Sequence, residues 1–201
     1  MTETSDRSPM DWEQRFRDDT TPWERKGLHP AFVNWQEAGA FEGLTTVIVP
    51  GCGRSAELKG FAALGKSAIG ADLSATALAW QEAALETAGL SAELIEADIL
   101  LWRPDAPLDA VYEQTFLCAI PPRLRGEYEQ AVHDWLKPGG KLFALFMQKA
   151  ELGGPPYGCS IPAMRELFPE NRWDWPDSAP AAHPHPSLNG KPELAMILTR
   201  R

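Results

Sequence analysis

The sequence has few cysteines, no cluster of basic residues and no long apolar run. Its three cysteines, Cys52, Cys118 and Cys159, are far apart and odd in number, which argues against a disulfide framework and a zinc knuckle. A net charge of −9 argues against nucleic acid as a partner. No stretch approaches the roughly 20 apolar residues that span a bilayer, and the polar N-terminus contains no signal-peptide core. We therefore expect a cytoplasmic protein with reduced thiols and no membrane partner.

Histidines are also few, and two of them stand in the segment AHPHPS. His183 and His185 alternate there with prolines and have no cysteine or carboxylate at metal-ligand spacing. We predict a surface loop for this segment and no metal site in the protein.

What the chain does contain, from residue 45 onward, is a regular alternation of short apolar runs and helix-forming segments. Strands are predicted over 45–50, 67–72, 92–97, 109–116, 141–148, 171–175 and 194–200, and helices over 55–64, 74–88, 122–136 and near 162–168. The alternation predicts one α/β domain over 1–201 with a Rossmann-like, doubly wound, seven-stranded sheet. The sheet should be mostly parallel, with the last two strands antiparallel neighbours at its edge. Ligands of such sheets bind at the carboxyl ends of the strands.

The segment VPGCGRSAEL is typical of a turn that holds a nucleotide-like ligand. A β-branched strand ends at Pro50, Gly51 and Gly53 permit a tight turn, and Ser55 is suited to cap the following helix. With Ala56, the two glycines satisfy the G-x-G-x-x-G/A pattern, in which backbone N–H groups approach the ligand closely.

Two acids follow at the ends of the next two predicted strands. Asp72 is suited to accept hydrogen bonds from both ribose hydroxyls of either NAD or S-adenosylmethionine, although it could equally cap the next helix. Asp98 is suited to an adenine amino group. Because only about 155 residues follow residue 45 and the sheet ends antiparallel, S-adenosylmethionine is favoured. A dinucleotide-dependent oxidoreductase, and a module that binds the cofactor without turnover, remain alternatives.

The N-terminal segment 1–35 has aromatic residues embedded among charges. Trp12 and Phe16 are four residues apart and would share one face of a helix. Such a helix could dock on the core, or it could form an aromatic lid over the glycine turn.

Several of these motifs, in this order and spacing, resemble the thiopurine S-methyltransferase family. They are WEQRF, TPWERKG, HPAF, VPGCGRSAEL, GADLSATAL, YEQTFLCAIPPRLR and GGPPYGCS, between about Trp12 and Phe168. They resemble the thiol and halide methyltransferase branch more than the mammalian drug-metabolising enzyme. The resemblance implies a class I fold and an S-adenosylmethionine-dependent methyltransferase.

The resemblance also implies which residues contact the cofactor. These are the lid aromatics Trp12, Phe16 and Trp23, then Gly51, Cys52, Gly53, Asp72, Leu73, Asp98 and Ile99, and, beneath the methionine moiety, Glu113, Gln114 and Thr115. Phe16 stands where relatives usually have Trp, and Gln114 where others have Tyr or Arg.

The methyl acceptor is expected to be a small thiol or a related sulfur or halide nucleophile. In-line displacement requires alignment rather than a catalytic triad, so an apolar pocket is expected. Its predicted wall is Phe116, Leu117, Cys118, Pro155, Pro156 and Tyr157. Tyr157 and Cys118 are the candidate catalytic residues, with a packed loop aromatic and a small buried hydrophobe as the respective alternatives. Oxygen and nitrogen acceptors remain possible because the fold does not specify the acceptor. Without heptads or a long apolar edge strand, we expect a monomer.

Overall fold

One mixed sheet of eight strands organises the computed structural model, which describes residues 10–201. The strands are β1 (Thr46–Pro50), β2 (Ser67–Asp72), β3 (Glu93–Glu96), β4 (Leu108–Glu113), β5 (Leu136–Met147), β6 (Trp173–Asp174), β7 (Ala181–Pro184) and β8 (Pro192–Arg200). Residues 1–9 lie outside the described residues. The first nine residues of the predicted domain 1–201 and of the predicted lid segment 1–35 are therefore not described.

The strand order confirms the predicted fold class. The order is β3-β2-β1-β4-β5-β8-β6, with β7 also paired to β8. Strands β1 to β5 pair in parallel, whereas β8 is antiparallel to β5, β6 and β7. The antiparallel pairing of β6 with β8 was predicted. The eighth strand, β7, was not predicted. Its prolines favour a loop and are tolerated in a strand only at a sheet edge.

The helices cover both faces of the sheet. They are α1 (Trp12–Arg17), α2 (Pro30–Glu37), α3 (Glu57–Ala63), α4 (Ala75–Thr87), α5 (Arg125–Trp135) and α6 (Ile161–Leu167), with a 3-10 turn at Pro122–Leu124. Helix α2 was not predicted. Ser55 does not cap α3 as predicted, since Ala56 occupies the N-cap position and no side-chain cap is present.

The core lies on both sides of β1, whose successive side chains point to opposite faces. Val47 and Val49 pack with residues of α2, α3 and α4, whereas Ile48 packs with residues of α5 and α6. All six residues of β4 are buried. Because the central strands are buried on both faces, their carboxyl ends form the accessible edge of the sheet, where ligands bind in folds of this kind.

The AHPHPS segment differs from its prediction. His183 lies in β7 opposite Glu193, and both His183 and His185 are buried, at 9% and 1% exposed. The surface-loop prediction is therefore wrong, because Ala181–Pro184 is an edge strand and His183 packs against His29, although Pro184 and Pro186 are exposed. Within residues 10–201, no helix combines the length and apolar character needed to cross a membrane.

Candidate active site

The turn after β1 approaches its neighbours more closely than a side chain would allow. Gly51 and Gly53 have φ angles of +58° and +47°, in the left-handed region that favours glycine. A Cβ on Gly51 would lie 2.4 Å from Cδ2 of Phe116, and one on Gly53 would lie 3.0 Å from Cζ of Phe16. Glycine is therefore required here for the turn to pack against Phe116 and Phe16, and the same two glycines line the cavity above the turn.

Two carboxylates lie at the ends of neighbouring strands. Asp72 ends β2, is 7% exposed, and accepts hydrogen bonds from the backbone N–H groups of Gly53 at 2.8 Å and Ser74 at 2.9 Å. Asp98 follows β3 and accepts one from the N–H of Leu100 at 2.9 Å. Burial raises the pKa of Asp72, and its backbone hydrogen bonds oppose this rise. The two N–H groups orient the Asp72 carboxylate and leave further lone pairs to accept from ligand hydroxyls.

Helix α1 and the loop after it bring three aromatic side chains over the turn. The ring centroids of Trp12 and Trp23 are 5.5 Å apart, and those of Phe16 and Trp23 are 6.0 Å apart, both edge to face. Phe16 is buried, and its ring lies directly against Gly53, where a Cβ would be 3.0 Å from Cζ of Phe16. These aromatics lie over the turn, and neither Trp12 nor Phe16 belongs to the two hydrophobic core clusters. The role of the segment as a lid stays a prediction.

Glu13 fastens α1 to the N-terminus of α4, a contact the sequence does not predict. Its carboxylate accepts hydrogen bonds from Oγ of Ser74 at 2.6 Å, Oγ1 of Thr76 at 2.7 Å and N of Thr76 at 3.1 Å. These bonds, above all that from Ser74, lower the pKa of Glu13 to about 2. Ser74 is the N-cap of α4, so the alternative that Asp72 itself caps this helix is not what the structure shows.

Arg54 fastens the other end of α1. Its guanidinium donates to the carbonyl of Phe16 at 2.6 Å and to Oδ1 of Asp19 at 2.5 Å, and lies 5.5 Å from the ring centroid of Phe16. Since Arg54 directly follows Gly53, the lid is tied to the same turn that it covers.

The segment after β4 forms the floor of the site. Thr115 has a φ of +66°, a strained conformation for a β-branched residue that persists mainly at functional sites. Glu113 is 1% exposed, and its carboxylate accepts from the N of Leu117 at 2.9 Å and the hydroxyl of Tyr128 at 2.8 Å. Burial raises the pKa of Glu113 to about 7. Glu113 therefore shapes this turn from below, whereas Gln114 and Thr115 face the space above.

These elements enclose one cavity of about 670 Å³ at the carboxyl ends of β1, β2 and β4. All the predicted cofactor residues except Glu113 line it: Trp12, Phe16, Trp23, Gly51, Cys52, Gly53, Asp72, Leu73, Asp98, Ile99, Gln114 and Thr115. Among residues 10–201, no three His, Cys, Asp or Glu side chains are grouped to hold a metal ion.

The two candidate catalytic residues occupy different places. Cys118 lines the cavity, but its Sγ donates to the carbonyl of Thr115 at 3.2 Å, and burial raises the pKa of its thiol well above the usual range. Tyr157 lies behind the cavity wall, which Pro155 and Pro156 form, and its backbone N donates to the carbonyl of Cys118 at 2.7 Å. Catalytic roles for both residues stay predictions, with Cys118 placed in the wall and Tyr157 behind it.

Comparison with known proteins identifies the family. Residues 7–177 match the thiopurine S-methyltransferase (TPMT) family. The chain belongs to this family. Thiocyanate methyltransferase 1 of Arabidopsis thaliana is 28% identical over 189 residues, or 91% of this chain and 82% of that protein. The thiopurine S-methyltransferase of Pseudomonas putida (strain GB-1) is 27% identical over 169 residues, or 74% of this chain and 77% of that protein.

Solved structures share the fold of this TPMT-family chain. The Burkholderia thailandensis 1,6-didemethyltoxoflavin-N1-methyltransferase has a TM-score of 0.72 at 17% identity, covering 93% of this chain and 84% of that one. The magnesium protoporphyrin IX methyltransferase of Synechocystis PCC 6803, with bound SAM, has a TM-score of 0.71 at 14% identity, covering 94% and 95%. The predicted class I methyltransferase fold is confirmed.

TPMT membership also confirms the predicted enzyme class and cofactor, an S-adenosylmethionine-dependent methyltransferase. The family match does not support the two alternatives, a dinucleotide-dependent oxidoreductase and a module that binds the cofactor without turnover. The cavity fits this cofactor, because it combines a bare glycine backbone, a fixed carboxylate at the end of β2 and an aromatic cover.

A buried polar cluster borders the cavity of this TPMT-family protein on the side of β8. The carboxylate of Glu193 accepts a hydrogen bond from Nη2 of Arg25 at 2.5 Å and lies 3.1 Å from Nε2 of His29. The backbone N of His29 donates to Glu57 at 2.6 Å. Arg25, Glu57 and His185 line the cavity. One signal was available in the sequence, since Glu193 directly precedes the continuous apolar run 194–198 of a predicted strand, where an unpaired buried charge would be costly.

Proposed function

We propose that this TPMT-family protein transfers a methyl group from S-adenosylmethionine to the sulfur of a small acceptor, such as a thiol or the thiocyanate ion. The observation that carries the proposal is the division of the cavity into two ends. The glycine turn, Asp72 and the lid surround one end, and Met147, Pro155 and Pro156 give the other an apolar wall. The names of the relatives, thiocyanate methyltransferase and thiopurine S-methyltransferase, support a sulfur acceptor.

The residues that hold the cofactor in this proposal are those predicted from the sequence, except Glu113. Asp72 accepts hydrogen bonds from the ribose hydroxyls, and Asp98 and Ile99 meet the adenine edge. The backbone of Gly51 to Gly53 contacts the methionine part, and the lid aromatics cover it. When bound, S-adenosylmethionine supplies an electrophilic methyl group on a sulfonium sulfur.

The chain's own contribution is alignment and exclusion of water. The lid closes over the turn, and the apolar wall suits a large, polarisable sulfur nucleophile, since a dry pocket favours a reaction in which charge is dispersed. A small thiol brings its own nucleophile, of which a few per cent is ionised at neutral pH. Burial raises the pKa of Cys52 and Cys118 well above the usual range, so the protein's own thiols stay protonated beside a methylating agent.

We infer further that the protein works as a monomer in the cytoplasm. The edge strands β3, β6 and β7 have four, two and four residues, too short to recruit a second sheet. The three cysteines are free and buried, in keeping with a reducing compartment.

The test of the function is release of S-adenosylhomocysteine across a panel of acceptors. The panel contains small thiols, sulfide, thiocyanate, halides and thiopurines, with small phenols and amines for the oxygen and nitrogen alternatives. The proposal predicts turnover with at least one sulfur class. Turnover with phenols or amines only would overturn the sulfur assignment while leaving the methyltransferase class intact.

A further inference from the structure

Among residues 10–201, three arginines line the cavity, and each has different hydrogen-bond partners. Arg54 is held at the glycine turn by Phe16 and Asp19. Arg15 lies on α1, and its Nη1 is 3.5 Å from the carbonyl of Thr20. Arg25 is held instead by the β7 to β8 hairpin, through the Glu193 carboxylate and the carbonyl of Pro184 at 3.2 Å.

The sheet order places Glu193, the ion-pair partner of Arg25, away from Asp72 and Asp98. Asp72 and Asp98 follow β2 and β3, on one side of β1, whereas β8 lies on the other side, beyond β4 and β5. The side of β8 is also where the apolar wall of Met147, Pro155 and Pro156 stands. Of these three arginines, Arg25 is therefore the one held on the side of β8, where this apolar wall stands.

The guanidinium of Arg25 has N–H groups that donate no hydrogen bond within residues 10–201. Both of its hydrogen bonds use Nη2, and its Nε and Nη1 have no hydrogen-bond partner among residues 10–201. The side chain is only 13% exposed, and that of Glu193 is 1% exposed. A guanidinium fixed at one nitrogen in a largely dry site is suited to bind an acceptor through the others, since charge-assisted hydrogen bonds are stronger away from water.

The surrounding titratable groups do not cancel this role. Glu193 already pairs with Arg25 and His29, and these contacts help lower the pKa of its carboxyl despite burial. Burial raises the pKa of Glu57 and lowers those of His183 and His185. Arg25 and Glu193 form the direct ion pair at this end.

We propose that Arg25, positioned by Glu193, contacts the methyl acceptor and favours acceptors that carry negative charge. This inference rests on the proposed function, because it concerns the acceptor of the same site. Arg25 is the specificity-determining residue, and Glu193 is a positioning residue that acts through it.

The test measures binding without turnover. Thiocyanate is titrated calorimetrically into the protein saturated with S-adenosylhomocysteine, which has no methyl group to transfer. We expect Arg25→Gln to weaken thiocyanate binding at least tenfold, Arg25→Lys to weaken it less, and affinity for S-adenosylhomocysteine to stay within twofold. The matched control is Arg165→Gln, at an exposed arginine paired with Glu170, which should bind thiocyanate as wild type does.

Glu193 needs a second variant, because Arg25→Gln leaves a buried carboxylate with His29 as its remaining partner. The double variant Arg25→Gln with Glu193→Gln removes that charge, and we expect it to bind thiocyanate as weakly as Arg25→Gln alone. Unchanged thiocyanate binding in either variant would overturn the proposal, and so would an equal loss of affinity for S-adenosylhomocysteine. Wild-type protein that methylates thiols but binds no thiocyanate would overturn the role of Arg25 and leave the proposed function standing.

Discussion

Glu13 should determine how tightly the lid closes on the cofactor. Its carboxylate receives three hydrogen bonds from Ser74 and Thr76 at the N-terminus of α4, and the helix that carries it also carries Trp12 and Phe16. In Glu13→Gln, one acceptor oxygen becomes an amide NH2 that cannot accept, and the charge at the helix N-terminus is lost. The first change costs about 1 kcal/mol and the second about 0.5 kcal/mol, because the side chain is partly exposed.

A loss of about 1.5 kcal/mol corresponds to roughly a tenfold weaker affinity if the closed lid is the state that binds the cofactor. Calorimetric titration with S-adenosylhomocysteine measures this directly. Glu37→Gln, at an exposed glutamate ending α2, is the matched control and should bind as wild type does. Because the pKa of Glu13 is about 2, the contact stays charged from pH 5 to 8 and should cause no change in affinity over that range. An affinity for Glu13→Gln within twofold of wild type would refute the reasoning.

Three other predictions test the floor and the turn of the site. Asp72→Ala should weaken S-adenosylhomocysteine binding more than tenfold in calorimetry, and unchanged affinity would remove the ribose assignment. Burial raises the pKa of Glu113 from 4.5 to about 7, so the folded chain holds a proton that the unfolded chain releases. The contribution of Glu113 to the free energy of unfolding should therefore fall by up to about 3 kcal/mol as pH rises from 4.5 to 7, and Glu113→Gln should flatten this part of the profile in urea titrations. Gly51→Ala should abolish cofactor binding. The control is Gly139→Ala, at a similar positive φ but with no atom within 4 Å of the added Cβ, which should retain binding. Equal affinities of the two variants would show that close approach at Gly51 is not required.

The sequence predicts the glycine turn and the neighbouring strand ends well, because their signals are local. Gly51 and Gly53 mark a turn that only glycine fits, and Asp72 directly follows a strand that can be recognised from its own residues. These predictions needed no knowledge of how distant segments meet. The same holds for most strand and helix bounds, which lie within a few residues of those observed.

The acceptor half depends on contacts between residues far apart in the chain. Arg25 and Glu193 are 168 positions apart, and nothing near either residue indicates the other. The AHPHPS segment was misjudged for a related reason, since proline content favours a loop locally, whereas burial beneath the N-terminal segment is a tertiary effect. Glu113 illustrates a third case. Its position at the end of β4 was predicted, but only packing against Tyr128 places its carboxylate below the turn rather than in the cavity.

Separate anchors at the two ends of the N-terminal segment imply that cofactor and acceptor binding can be perturbed independently. Glu13 ties α1 to α4, and Arg25 ties the following loop to β8, with no residue shared between the two contacts. Effects of changes at independent sites add to within about 0.5 kcal/mol. The double variant Glu13→Gln with Arg25→Gln should therefore lose cofactor affinity as Glu13→Gln does and thiocyanate affinity as Arg25→Gln does. A loss in either affinity greater than the sum of the single effects would mean that the N-terminal segment moves as one body. A change at one of its two contacts would then alter the binding of both cofactor and acceptor.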